Sequence, residues 1–191
     1  TSNPKDVRWL ERAMQSKVAF SSNREGSFDV YIVSKEGGIP QRLTTHSAHE
    51  YAVTFKDNDH ILYSASIQWE ASHGQFPSGL YPQIYEVNTK GGRPQMFTSH
   101  TMEDISINKN GEYLLFTDKK GYECPWRKHH QSSITRDIWL YNLKDQKTFQ
   151  KITSFRGEDR NAVWGNNNDT FFYLSEQDGN FNIYKSSVSG Q

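Results

Sequence analysis

Cysteine is nearly absent from this sequence, since Cys124 is the only one in 191 residues. No internal disulfide is therefore possible, and the redox compartment stays open. No run of 18 apolar residues occurs, so no membrane-spanning helix is predicted. Lysine plus arginine and aspartate plus glutamate both number 22. Without a net charge, the chain lacks the field that recruits nucleic acid or an anionic membrane surface, and neither is expected as a partner.

Signatures of catalysis are also missing. There is no G-x-S-x-G elbow, no H-E-x-x-H helix motif and no glycine-rich phosphate loop. His129 and His130 follow Cys124 and Glu123, but without the spacing of a metal site. We therefore expect no catalytic residue, metal or cofactor in this chain. A small hydrolase that uses a loop face stays open as an alternative, which an activity screen would reveal.

Short alternating strands and turns are abundant instead. From Val18 to Thr44, three runs of apolar residues alternate with polar ones, as in strands with one buried face. Turn residues separate the runs, first around Gly26 and then at Gly37 and Gly38. This order of strands and turns predicts an antiparallel meander.

The meander recurs at a fixed period. Tyr31, Tyr85 and Trp139 are spaced 54 residues apart, and Thr44, Thr98 and Thr153 follow at matching places. A repeat of this length with strand patterns predicts an all-β fold built of β-propeller blades. We expect about four four-stranded antiparallel blades, forming part of a larger ring, at roughly 5–45, 46–99, 100–154 and 155–191. The second strands are predicted near 17–22, 60–65, 112–118 and 170–175, and the third near 28–33, 82–88, 136–142 and 181–187.

Two blades carry an insertion at the same hairpin. Residues 67–78 and 121–132 lengthen the connection between the second and third strands of the second and third blades. Insertions in repeat proteins often form the binding face. We expect the two loops to lie side by side, with Trp69 and Trp126 either anchoring the loops or meeting a partner.

The links between blades should share that face, because strands alternate in direction. Glu50, Asp104 and Asp159 each come six residues after a repeat threonine and are expected to ring the mouth of a central channel. The alternative is that each acid only bonds backbone N–H groups in its own turn. The candidate binding residues on this face are Glu50, Asp104, Asp159, Arg160, His46, His100, Trp69 and Trp126.

Two segments carry a family resemblance. VAFSSNREGSFDVYIVSKEGG (18–38) and FFYLSEQDGNFNIYK (171–185) resemble the propeller repeat of the translocation protein TolB and the tricorn proteases. KKGYECPWRKHHQSSITRDIWLY (119–141) is similar to a blade in the N-terminal propeller of bacterial tricorn-protease homologues. These homologues are secreted serine peptidases common in Bacteroidetes, whose protease core and PDZ-like module have no counterpart here. No catalytic residue of the peptidase can be assigned to any position.

The resemblance implies a non-catalytic propeller module that gates or docks peptide substrate. Its partners would be a peptide or protein, and the remaining blades or the protease domain of a parent chain. The alternative is a TolB-like interaction module of the cell envelope. Both interpretations imply a periplasmic or secreted location. Since the sequence begins at Thr1 without methionine, we expect a piece of something longer, with a fourth blade that lacks its outermost strand and an open arc of blades.

Overall fold

The structure, a computed structural model, describes residues 7–10, 16–68, 81–121, 129 and 131–189, with side chains from residue 16 onward. Its regular elements in these ranges are all β-strands. They are β1 (Val7–Leu10), β2 (Lys17–Ser22), β3 (Asp29–Ser34), β4 (Gln41–Arg42), β5 (Glu50–Phe55), β6 (His60–Ala65), β7 (Gln83–Asn88), β8 (Gln95–Thr98), β9 (Met102–Ile107), β10 (Tyr113–Asp118), β11 (Ile138–Asn142), β12 (Phe149–Lys151), β13 (Asp159–Trp164), β14 (Thr170–Ser175) and β15 (Asn182–Ser187).

Consecutive strands pair antiparallel in four separate sheets. The first three sheets have four strands each, β1–β4, β5–β8 and β9–β12, and the fourth has three, β13–β15. All predicted second and third strands are confirmed. Four antiparallel meanders of this kind are β-propeller blades, so the predicted all-β fold is confirmed. The three strands of the last sheet agree with the expectation that it lacks an outermost strand in the described residues.

The chain divides into two compact units, residues 1–101 and 102–191, each with two sheets. In the first unit, alternate residues of β2 and β3 such as Ala19 and Val30 pack against Ile61 and Tyr63 of β6. In the second unit, Leu115 and Ile138 of the third sheet pack against Phe171 of the fourth. Each core thus lies between the faces of two successive sheets, as the alternation of apolar residues predicts.

A β-bulge interrupts the first strand of the second, third and fourth sheets. The register against the neighbouring strand shifts between Ala52 and Thr54 in β5, and corresponding shifts occur in β9 and β13. Asp104 in β9 and Asn161 in β13 have left-handed φ values of 51° and 55°. Such bulges re-aim the side chains of an inner strand, which matters for the site below.

Several sequence predictions fall outside the described residues. They are most of both inserted loops and the positions of Trp69 and Trp126. Within the described ranges, no helix has the length and apolar character needed to cross a bilayer.

Candidate functional site

In the first unit, the link from β4 to β5 is fixed by buried polar groups. The Val30 N–H donates a hydrogen bond of 2.9 Å to the Thr44 hydroxyl, and the His46 N–H donates one of 3.2 Å to Oε2 of Glu50. Glu50 is only 1% exposed. Burial raises its pKa, while hydrogen bonds from the Thr44 hydroxyl and the His46 amide act in the opposite direction. Glu50 therefore stabilises its own link by accepting a backbone hydrogen bond from His46.

The hairpin between β2 and β3 meets the same link. The Ser27 hydroxyl donates to the carbonyl of His46 at 3.2 Å, and the Phe28 N–H donates to Nδ1 of His49 at 3.1 Å. The Phe28 ring also packs against the rings of His49 and Tyr51, with centroids 5.6 and 5.3 Å away. Within this unit, the predicted sharing of one face by link and hairpin is confirmed.

In the second unit, Asp159 has the position that Glu50 has in the first. It is the first residue of β13, pairs with Ser175 and is 1% exposed. Its N–H donates to the carbonyl of Arg136 at 3.1 Å. The pKa of Asp159 is raised to about 6, chiefly by burial. Hydrogen bonds from the hydroxyls of Ser175 and Thr153 oppose this rise, and the nearby charge of Asp137 contributes to it.

This raised pKa predicts a specific pH dependence of stability. Asp159 binds its proton more tightly in the folded state, with a pKa of about 6 against 3.8. Its contribution to stability is therefore fully present below pH 3.8 and is lost as the pH rises through 6. Between pH 4 and 7, we expect the free energy of unfolding of the unmodified chain to fall by about 1–2 kcal/mol more than that of Asp159→Asn.

Urea unfolding of both proteins at several pH values measures the difference. The exposed carboxylate of Asp59 provides the control, since Asp59→Asn should leave the slope unchanged. Parallel pH profiles for Asp159→Asn and the unmodified chain would show that burial does not perturb this carboxyl group.

Asp104 differs from Glu50 and Asp159 in its strand register, and the placement of the three acids around a channel mouth stays a prediction. Glu50 pairs with Ala65 and Asp159 with Ser175, but the matching partner Asp118 in the third sheet pairs with Met102. The link before β9 is shorter, so β9 begins at Met102 and Asp104 falls in the bulge. As a result, Asp104 has an exposed surface, whereas the other two acids are buried. Desolvation still raises the pKa of its carboxyl group, opposed by a hydrogen bond from the Thr117 hydroxyl.

The remaining candidates have different settings. His100 is exposed, and its N–H donates to the Thr98 hydroxyl at 3.1 Å. Trp69 and Trp126 lie outside the described residues. Arg160 lies in β13 with its guanidinium 4.4 Å above the ring of Phe181. Among the candidate residues that the structure describes, Arg160 is thus the one with both charged and aromatic neighbours.

A network of ion pairs surrounds Arg160 in the second unit. Glu158, buried just before β13, accepts from Nη1 of Arg136 at 2.7 Å and lies 3.5 Å from Nη1 of Arg160. Arg136 also pairs with Glu103 at 3.3 Å, and Glu103 pairs with Lys119 at 2.8 Å. Paired, partly buried charges of alternating sign hold the starts of β9 and β13 in a fixed arrangement.

Glu176 ties the third sheet's insertion to this region. Its Oε2 accepts from the N–H of His129 at 2.8 Å, and its Oε1 accepts from the N–H of Glu158 at 3.4 Å. Glu176 belongs to the hairpin between β14 and β15 and is buried. The described end of the insertion therefore lies on the same face as Glu158 and Asp159, as predicted.

Sequence reasoning missed an acid–base pair next to the third and fourth strands in the first sheet and in the third sheet. Asp29 pairs with Arg42 at 2.8 Å in the first sheet, and Asp137 pairs with Lys151 at 2.8 Å in the third. The repeat in the sequence contained a signal for these pairs. Each acid lies two residues before Tyr31 or Trp139, and each base lies two residues before a repeat threonine. In the described residues, no group of three potential ligands is arranged for a metal ion.

Comparison with known proteins gives the family. A model of the tricorn protease N-terminal β-propeller domain matches residues 15–191. This chain belongs to that family. The tricorn-type propeller is 22% identical over 175 residues to tricorn protease homolog 1 of Streptomyces coelicolor, covering 92% of this chain and 16% of that protein.

Solved structures show the same fold. A putative TolB from Agrobacterium tumefaciens superposes with a TM-score of 0.65 at 16% identity, covering 99% of this propeller chain and 61% of that chain. The tricorn protease superposes with a TM-score of 0.55 at 12% identity, covering 99% of this chain and 22% of that chain. The tricorn-type propeller described here therefore spans less than two thirds of each of these proteins.

Proposed function

We propose that this chain is a non-catalytic propeller segment of a larger tricorn-like serine peptidase, and that it docks or gates peptides for the protease. The observation that carries the proposal is the match of residues 15–191 to the tricorn N-terminal propeller. Its curated relative is about six times longer, since this chain covers 16% of it. The remaining blades and the protease domain of such a parent chain are the partners that follow.

Peptide contact is assigned to the face that carries the links. In the second unit, Arg160 offers a guanidinium stacked on Phe181 beside the buried Glu158. A cation held over a ring presents a flat surface with positive charge, which suits acidic and aromatic peptide side chains. Glu50 and Asp159 act in this proposal as buried supports of the links, with His46 beside the first.

The experiment is a binding titration with fluorescent peptides of varied sequence. Replacing Arg160 by alanine removes the stacked cation and should weaken binding by about tenfold, the effect of one charged contact. Arg93 is an exposed arginine in the turn between β7 and β8, so Arg93→Ala is the matched control. Equal affinities for both variants would remove Arg160 from the site, and no binding of any peptide would argue against docking on this chain.

Lack of catalysis is a separate part of the proposal. The chain offers no nucleophile motif, and the expected result of incubation with casein and chromogenic peptides is no turnover. Turnover that survives repurification and disappears after a point mutation in this chain would contradict it.

The alternative is a TolB-like interaction module of the cell envelope. The fold similarity to the Agrobacterium TolB, with a TM-score of 0.65, is the observation in its favour. An interaction module of this kind would bind a folded envelope protein in preference to short peptides. Both versions place the parent protein in the periplasm or outside the cell, and fractionation of cells that express the full open reading frame tests that location.

A further inference from the structure

A cavity rich in cations lies in the second unit, beside the link that precedes β13. Its volume is about 420 Å³, and it is open to solvent on one side and lined by this link and by the segment before β11. Among the described residues, Lys120, Lys151 and Arg156 supply three positive charges to its wall, and Asp137 supplies the one carboxylate. Serine and threonine hydroxyls and one aromatic ring complete the lining.

The carboxylate of Asp137 is shared between the two lysines. Its Oδ2 accepts from Nζ of Lys120, and its Oδ1 lies 2.8 Å from Nζ of Lys151. Burial alone would lower the pKa of Lys120, but the hydrogen bond with Asp137 and the charge of Asp118 raise it overall. The ammonium group of Lys120 therefore stays charged near neutral pH. The described wall thus has three cationic side chains, against the carboxylate of Asp137 in the wall and that of Asp118, which lies 3.4 Å from Nζ of Lys120.

Arg156 is exposed and is presented by a well-fixed backbone. Its carbonyl accepts from the Thr135 hydroxyl at 3.2 Å. The next residue, Gly157, leaves space for the Phe155 ring, since a Cβ there would lie 2.7 Å from Cζ. No ion pair of the Arg156 guanidinium occurs among the described residues. Within the described part of the chain, the guanidinium thus lines the cavity without an ion pair to a carboxylate.

We propose that this cavity is a binding site for the carboxylate of a small polar ligand. Arg156 would engage the carboxylate with its fork of N–H donors, and Lys151 and Lys120 would add positive charge behind it. A volume of about 420 Å³ exceeds a bare ion and suits a ligand of several heavy atoms, whose hydroxyl or amide groups meet the serines. The inference does not depend on peptide docking at Arg160.

Two sources offer this chemistry, the acidic side chain of a peptide and a uronic acid. The probes are therefore N-acetyl-glutamic acid amide with its neutral glutamine counterpart, and galacturonate with neutral galactose. Titrations followed by NMR report binding of each. We expect one of the two acids to bind while its neutral counterpart does not. The affinity for that acid should fall as the salt concentration rises.

Matched variants locate the site. Arg156→Gln should weaken binding of the acid by about tenfold or more, the loss of a charge-assisted contact, and Arg156→Lys should retain part of it. Lys109→Gln changes an exposed lysine in the turn between β9 and β10 and should have no effect. Thermal unfolding of each variant checks that the fold is unchanged. Binding of neither acid, or binding unaffected by Arg156→Gln, would overturn the proposal.

Discussion

Replacement of Phe171 by alanine is expected to lower the free energy of unfolding of the second unit by about 3–5 kcal/mol. Phe171 is 1% exposed and packs in the core between the third and fourth sheets. Its ring contacts Trp164 and Tyr173, with centroids 6.5 and 5.6 Å away. Truncation would leave a cavity among these rings and Leu115, and close-packed sheets relax only partly to fill one. Chemical denaturation followed by tryptophan fluorescence measures the loss.

The neighbouring phenylalanine is a matched control. Phe172 is the next residue of β14 and points to the opposite face, where it is 37% exposed. Phe172→Ala removes the same atoms from a position that is already partly in water, so we expect a loss below about 1 kcal/mol. Equal losses from the two substitutions would mean that the assignment of faces in the fourth sheet is wrong.

Self-association of the isolated chain is the second large expected effect. Val163 and Phe172 are directly paired on one face of the fourth sheet, and Ile183 lies on the same face opposite Leu174. Val163 is 53% exposed and Ile183 is 75% exposed. A contiguous apolar sheet face in water is an association site.

The third sheet shows what covers such a face in this fold. Leu115 and Ile138 have the same register positions as Phe172 and Ile183, but both are fully buried. The cover is the fourth sheet, through Ala162 and Phe171. We therefore expect a further blade of the parent propeller to cover the fourth sheet, and copies of this chain to associate there when that blade is absent.

Light scattering over a range of concentrations tests this expectation. The double replacement Phe172→Lys and Ile183→Lys should weaken association by about a hundredfold, because two large apolar side chains no longer become buried. Ile39 is 96% exposed in the turn between β3 and β4, so Ile39→Lys is a control for a lone apolar residue. A chain that is monomeric at every concentration, with the fourth sheet completed from within residues 1–191, would contradict the prediction.

The strands were predictable from sequence because their signals are local. The alternation around Tyr31, Tyr85 and Trp139 and the glycine turns repeat at one period, and strands β3, β7 and β11 occur at those places. A period of two sets which residues face the core, so Val30 and Ile61 could be assigned without knowledge of their contacts. The family resemblance rested on the same segments, and its match to the tricorn N-terminal propeller is confirmed. The comparisons do not extend to the Bacteroidetes grouping.

The candidate site was less predictable, because its geometry depends on register and on contacts between distant residues. A count of six residues after each repeat threonine made Asp104 equivalent to Glu50, but a shorter link and a bulge shift the register of β9. Only the tertiary structure places Arg136 against Glu158 and joins Glu176 to His129. The sequence by itself determined the strands of each sheet and, within each unit, the face that a link shares with the neighbouring hairpin. The folded chain decided which acids are buried and which cations line a cavity, since burial and charge pairing arise from packing between sheets.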